Sequence, residues 1–223
     1  MAPLGQTPRI ERPSVDIVIP LYNEEAVLEE LLSRLAAVFS ADALERSAVR
    51  SVRYLFVADG SSARSALVVA DAIERGLPAS LYRLSRNFGH QNAVSAGLDH
   101  SQADVVAVID ADLQDPPELI LDMLTEWRRG YDVVFACRRH RKESPLRNLG
   151  SWLFYRLVAF LSDVRVPLDS GDFCLMDRRI VRLLARLPEK LRFPRGLRAW
   201  AGFRQTGLEY DRPRRRAGSS KYS

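Results

Sequence analysis

The chain alternates short apolar runs with segments of helical periodicity. Val15–Pro20 (VDIVIP) is an almost unbroken apolar run, the pattern of a strand buried on both faces. Behind it, Leu28, Leu31, Leu32 and Leu35 recur at helical spacing. This predicts a helix packed on a sheet, with Asn23 as its cap and Glu24 and Glu25 in its first turn. Val52–Ala58 predicts a second strand, stopped by the turn cluster Asp59-Gly60-Ser61-Ser62. Ser65–Arg75 predicts a helix ending before Gly76, Ser80–Leu84 a third strand, and His90–His100 a helix. Asp104–Ile109 predicts a fourth strand. Pro116 and Pro117 open a helix that runs to Arg129, with Asp115 placed as its cap, and Tyr131–Cys137 predicts a fifth strand.

Strands alternating with helices predict right-handed crossovers and an α/β fold with a mostly parallel sheet flanked by helices. In such sheets ligands bind at the carboxyl ends of the strands. The polar clusters fall there: Tyr22-Asn23-Glu24, Asp59-Gly60-Ser61, Asp110-Ala111-Asp112 and Arg138-Arg139. Asp110 and Asp112 give the sharpest signal. Two carboxylates two residues apart at a strand end make a hard oxygen corner suited to Mg2+ or Mn2+, which usually also binds substrate phosphates. No Gly-x-Gly-x-x-Gly follows the first strand and no Gly-Lys-Ser/Thr loop is present, against a nicotinamide dehydrogenase and a P-loop NTPase.

Composition narrows this further. The chain of 223 residues has 47% hydrophobic and 27% charged residues, which fits a globular protein and not a disordered one. Only two cysteines occur, so a disulfide scaffold is excluded and both read as reduced thiols, Cys137 as a buried, inert one. No apolar run approaches the ~20 residues of a membrane span. The richest, Trp152–Leu161, is half that length and contains Arg156. Charge is split: residues 1–137 hold 12 basic and 20 acidic side chains, whereas residues 138–223 hold 21 basic and 8 acidic. The basic half suggests an anionic partner. A nucleic-acid reading needs stacking aromatics or a readout helix beside Arg212–Arg216, and only Tyr210 and Tyr222 lie near. Trp127, Trp200 and Phe203 read as core or interface aromatics, and His90 and His100 as polar surface or capping groups.

The motifs Ile19-Pro20-Leu21-Tyr22-Asn23-Glu24-Glu25, Asp59-Gly60-Ser61, Ser85-Arg86-Asn87-Phe88-Gly89-His90-Gln91, Asp110 to Pro117, Gly171-Asp172-Phe173 and Arg215-x-x-Gly218-x-Ser220-Lys221-Tyr222 occur in this order. The set resembles the polyprenyl-phosphate glycosyltransferases of glycosyltransferase family 2, which have the GT-A fold, over about residues 13–223. The Asn-Phe-Gly-His-Gln and Ser-Lys-Tyr forms are more similar to the bacterial bactoprenol branch. The resemblance implies a catalytic domain over 14–211 and a basic segment over 212–223 that closes on the phosphates; residues 1–13, with three prolines and no apolar run, are expected to form a flexible tail. It implies inverting transfer of a hexose from a UDP- or GDP-linked sugar (UDP-hexose or GDP-mannose) to a polyprenyl phosphate such as undecaprenyl phosphate. The expected place is the cytoplasmic side of the plasma membrane, against anionic lipid, with a membrane-anchoring partner or a membrane region beyond this chain. A saccharide acceptor is the alternative.

Residue by residue, the resemblance implies Pro20, Tyr22 and Glu24 as the first wall of the nucleotide pocket, and Val57 and Asp59 as its base-recognition edge. It implies Asp110, Ala111, Asp112 and Gln114 as the diphosphate site, with Asp110, Asp112 and Gln114 holding Mg2+ or Mn2+. Arg138 is a diphosphate or acceptor contact. Arg147, Ser151, Arg215 and Lys221 are acceptor-phosphate residues. Asp172 completes the catalytic set with Asp110 and Asp112, as a base or as a structural hydrogen-bond acceptor. Ala58 stands where the family often has Asp or Asn.

Overall fold

The computed structural model describes residues 9–138, 170–187, 189 and 193–211. Its elements are β1 (Ser14–Leu21), α1 (Glu25–Val38), α2 (Ala41–Arg46), β2 (Ser51–Asp59), α3 (Ala63–Glu74), β3 (Ala79–Leu84), α4 (His90–Asp99), β4 (Val105–Val108), α5 (Leu119–Arg128), β5 (Val133–Arg138), β6 (Ser170–Asp177), α6 (Arg178–Arg186), α7 (Pro194–Trp200) and β7 (Gln205–Tyr210). The strands form one seven-stranded sheet in the order β3-β2-β1-β4-β6-β5-β7. β1 pairs in parallel with β2 and β4, β2 with β3, and β5 with β7. The mostly parallel α/β sheet is as expected.

The apolar runs are continuous because both faces are covered. Ile17 and Ile19 of β1 point into one layer with Leu28 and Leu31 of α1 and Met123 and Trp127 of α5. Val18 points into the other, with Val94 and Leu98 of α4 and Ile180 and Leu184 of α6. α4 lies so close to β1 that a Cβ on Gly97 would sit 2.3 Å from Val18 Cγ1.

Two strands escape the pattern reading. β6 is antiparallel to both β4 and β5 and lies between them, pairing Val108 with Cys174 and Cys137 with Ser170. Its start therefore stands beside the carboxyl ends of the parallel strands. Gly171 and Asp172 are delivered to the edge where the ligand is expected. At the other end of β6, Asp177 caps α6, accepting from Arg179 N, and also accepts from the indole of buried Trp127 at 2.9 Å. The Arg9 guanidinium pairs with Asp177 and with Asp132, tying the segment just before β1 to the lower edge of the sheet.

Several local expectations are corrected. Asn23 is not the cap of α1. It adopts φ 54°, Glu24 precedes the helix, and the Asn23 amide oxygen accepts from Ser62 N at 2.8 Å. Asp115 does not cap α5, which starts at Leu119 after a turn through Pro116 and Pro117. It is buried and accepts from the Tyr210 hydroxyl at 2.5 Å. Trp127 is core, whereas Trp200 is 57% exposed. Cys137 is only half-buried. His100 ends α4, with Nδ1 2.8 Å from Ala96 O, in keeping with a capping group.

The β2–α3 turn shows how tightly the loops at the ligand edge pack. Gly60 has φ +64°, and a Cβ there would lie 2.4 Å from Asn87 N and 2.6 Å from Arg86 C. Both the left-handed backbone and the contact exclude a side chain. Gly60→Ala is expected to cost about 2 kcal/mol, read as a lower urea midpoint at unchanged slope.

Candidate active site

The carboxyl ends of β1, β2 and β4 and the start of β6 converge on one cleft edge. The β1 and β2 loops are clamped together: Ser61 Oγ donates to Leu21 O at 2.7 Å, and Ser62 Oγ contacts Glu25. Pro20 is buried in this wall, and Tyr22 and Glu24 are half-buried at its rim. Val57 is fully buried. Asp59 is also buried, accepting from Phe88 N at 2.7 Å and Gly89 N at 2.9 Å. Both oxygens of Asp59 therefore hold the loop that leads into α4. Val57 and Asp59 are thus buried behind the loop at the carboxyl end of β2.

The Asp110–Asp115 loop continues from β4. Ala111 and Leu113 are buried, and Leu113 is held at φ 59°, unusual for a bulky side chain. The buried anchors fix the acidic residues between them. Asp112 Oδ1 accepts from Gln114 N at 3.1 Å. Asp110 faces the cleft with its side chain 33% exposed. Dehydration raises its carboxyl to about 7, with repulsion from Asp115, Asp112 and Asp172 adding to the effect and His90 opposing it. A crowded carboxylate corner with hard oxygen donors fits a divalent cation. Among the described residues no group of three His, Cys, Asp or Glu side chains could by itself hold a metal. The described carboxylates would therefore hold a cation only together with ligands from outside this set.

His90 is not the surface or capping group its sequence suggests. It opens α4 and places Nε2 3.6 Å from Asp110 Oδ1 and 3.6 Å from Asp172 Oδ2. Although burial opposes it, the carboxylates of Asp172, Asp110 and Asp59 hold the imidazole above its ordinary pKa. The same Asp172 oxygen accepts from Gln91 Nε2 at 3.0 Å, and Oδ1 lies 3.4 Å from Arg195 Nη2. Burial raises the Asp172 pKa, but His90, Arg195 and Arg198 outweigh it and bring the carboxyl down to about 2. His90, Gln91 and Arg195 are the residues that sequence reading missed. His90 and Gln91 did stand inside a recognised motif, whereas Arg195 carried no signal.

On the far side, Arg138 ends β5 in register with Tyr210 of β7. Burial and neighbouring Asp115 push the Tyr210 hydroxyl pKa upward, so it stays a neutral donor that ties β7 to the acidic loop. Arg147, Ser151, Arg215 and Lys221 lie outside the described residues.

The comparisons with known proteins agree with this architecture. The family described as Glycosyl transferase family 2 matches residues 16–184. An uncharacterized glycosyltransferase, YkcC of Bacillus subtilis, is 44% identical over 207 residues, covering 92% of this chain and 62% of that protein. The bactoprenol glucosyl transferase of Shigella phage SfV is 34% identical over 211 residues, covering 94% of this chain and 66% of its own length. The chain thus spans less than two thirds of the length of these two relatives. Among solved structures, the mannosyltransferase PcManGT from Pyrobaculum calidifontis, in complex with GDP-Man and Mn2+, superposes with a TM-score of 0.62 at 19% identity, covering 92% of this chain and 59% of that one. The mannosyl-3-phosphoglycerate synthase of Rubrobacter xylanophilus gives a TM-score of 0.59 at 20% identity, covering 92% and 68%. These likenesses show the GT-A fold, and the sequence matches go further: this chain belongs to glycosyl transferase family 2.

Proposed function

We propose that the protein transfers a hexose from a nucleotide sugar to a polyprenyl phosphate, with inversion, at the cytoplasmic membrane face. The observation that carries this reading is the charge arrangement of the cleft. An acidic corner for a cation-bound diphosphate stands one imidazole away from an aspartate held ionised by basic groups. Support for the acceptor comes from the relatives named bactoprenol glucosyl transferase.

In this reading the wall of Pro20, Tyr22 and Glu24 receives the nucleoside, and the loop held by Asp59 closes its side. Asp110 and Asp112, with Gln114 beside them, would hold Mg2+ or Mn2+, which neutralises the charge that builds on the departing nucleoside diphosphate. A phosphate oxygen of the acceptor attacks the anomeric carbon as the bond to the diphosphate breaks, on opposite faces of the sugar. A phosphate monoester has a second pKa near ~6, so most of it is a dianion at neutral pH. No proton must be removed for attack. Asp172, at about 2, is a poor proton acceptor, and the reading gives it a positioning role.

Association with the membrane rests on surface chemistry. Among the described residues no helix is long and apolar enough to cross a membrane. Phe193 and Trp200, at the two ends of α7, are 51% and 57% exposed. They stand in the basic half of the chain, whose charges suit an anionic lipid face. A membrane-anchoring partner, or a membrane region beyond this chain, would add to that contact.

The test is a donor screen with the full chain: UDP-glucose, UDP-N-acetylglucosamine and GDP-mannose, each with and without undecaprenyl phosphate in neutral or anionic vesicles. One donor is expected to give a lipid-linked sugar, faster on anionic vesicles and slower as salt rises. Transfer to a free saccharide, with no lipid-linked product from any donor, would overturn the reading.

A further inference from the structure

Among the described residues, the guanidinium groups of α7 are poorly matched by counter-charges. Among the described residues Arg195 has one charged contact, a long one at 3.4 Å to Asp172 Oδ1; its guanidinium also lies 6.0 Å from the centre of the Phe193 ring, and its Nε is sealed from solvent with no hydrogen-bond partner. Arg198 is only 3% exposed, yet its Nη2 donates to a neutral acceptor, Gly171 O, at 3.0 Å. It lies 5.7 Å from the centre of the Phe135 ring. Among the described residues Arg198 has no carboxylate in salt-bridge range. Two guanidinia thus stand against the single charge of Asp172. A buried cation without a full counter-charge, and a buried donor without an acceptor, both cost stability. Such a cluster is arranged for an anion that the described residues do not supply.

The position of the surplus charge identifies the anion. Asp172 separates two sides of the cleft. Its Oδ2 faces His90, which also touches Asp110 of the diphosphate corner. Its Oδ1 faces Arg195. An anion at Arg195 would lie on the Oδ1 side of Asp172, while the acidic corner is reached through His90 from the Oδ2 side, so the two anionic groups would meet different sides of one carboxylate. A planar guanidinium forks two phosphate oxygens, and two guanidinia offset most of a dianion's charge beside a carboxylate.

We propose that Arg195 binds the acceptor's phosphate group, with buried Arg198 fixing it in place and adding charge from behind. This rests on the polyprenyl-phosphate reading above. Neither residue lies in the motifs that suggested the acceptor site. The role goes beyond the contribution of Arg147, Ser151, Arg215 and Lys221.

The test uses Arg195→Gln and Arg195→Lys in the full chain, because Arg198 is buried and its variants risk the fold. KM is measured separately for undecaprenyl phosphate and for the nucleotide sugar, beside donor hydrolysis without acceptor and the thermal midpoint. Arg195→Gln is expected to raise KM for undecaprenyl phosphate about tenfold or more, the scale of one lost charge-assisted hydrogen bond. Donor KM should stay near wild type, and a cooperative thermal transition in the variant shows that it is folded. Arg195→Lys, which keeps the charge and loses the fork, should fall between. A rise in donor KM instead would assign Arg195 to the diphosphate and overturn the proposal. No change in either KM would also overturn it, leaving only a partner for Asp172. If wild type uses no polyprenyl phosphate with any donor, the functional reading fails. The subsite is then judged by calorimetry with inorganic phosphate: binding lost in Arg195→Gln keeps an anion site, and no binding in wild type removes it.

Discussion

Replacing Asp112 with Asn is expected to lower transfer about a hundredfold or more, on the scale of lost electrostatic catalytic groups. The substitution is nearly isosteric. The amide oxygen of Asn can still accept from Gln114 N, the contact that shapes the loop. Asp112 is buried among residues that hold the loop fixed, including Ala111 and Leu113. The fold should therefore survive while one negative donor is lost from a hard-cation site. Donor turnover should become less sensitive to added Mg2+ or Mn2+, and wild type in excess chelator should resemble the variant. Full activity of Asp112→Asn, or of wild type without divalent cation, would remove the metal from this site.

Arg215→Ala is expected to damage transfer more than Asp172→Asn, with both measured at pH 7 and 8.5. Arg215 belongs to the late basic motif outside the described residues, and its proposed task is to close over phosphates. Loss of such a contact is placed at about a hundredfold. Asp172 lies close to His90, Gln91 and Arg195, so its amide variant loses positioning and not a proton acceptor. Its pKa near 2 lies below the ordinary carboxylate value, so its ion pairs stabilise the fold above about pH 4 and are lost as pH falls towards 2. Neither assay pH touches that equilibrium, and no rescue at pH 8.5 is expected. If Asp172→Asn proves the weaker enzyme and recovers as pH rises, Asp172 is a base. The acceptor is then a hydroxyl, as in transfer to a saccharide.

The local pattern carried much of this protein. Apolar runs such as Val15–Pro20 and Asp104–Ile109 marked strands buried on both faces, and β1 and β4 are pairing neighbours there. The acidic loop after the fourth strand was legible because two carboxylates at a strand end are a chemical statement needing no partner. The family motifs were legible for the same reason, since each is short and contiguous.

The sheet order was not legible. β6 inserts antiparallel between β4 and β5, and that pairing joins residues far apart in the chain. Strand periodicity says that a run is buried, not which strand lies beside it. Only this insertion sets Asp172 against His90, and only the return of α7 sets Arg195 against Asp172. Asp115 shows the same limit on a smaller scale. Its neighbours in sequence read as a helix start, but its partner, Tyr210, is 95 residues away. Sequence determined which segments are strands and which side chains can carry charge or bind a cation, because periodicity and side-chain chemistry are local properties. The tertiary structure decided which charges meet, because a contact between distant residues is fixed by strand order and packing and by nothing in the residues that flank them.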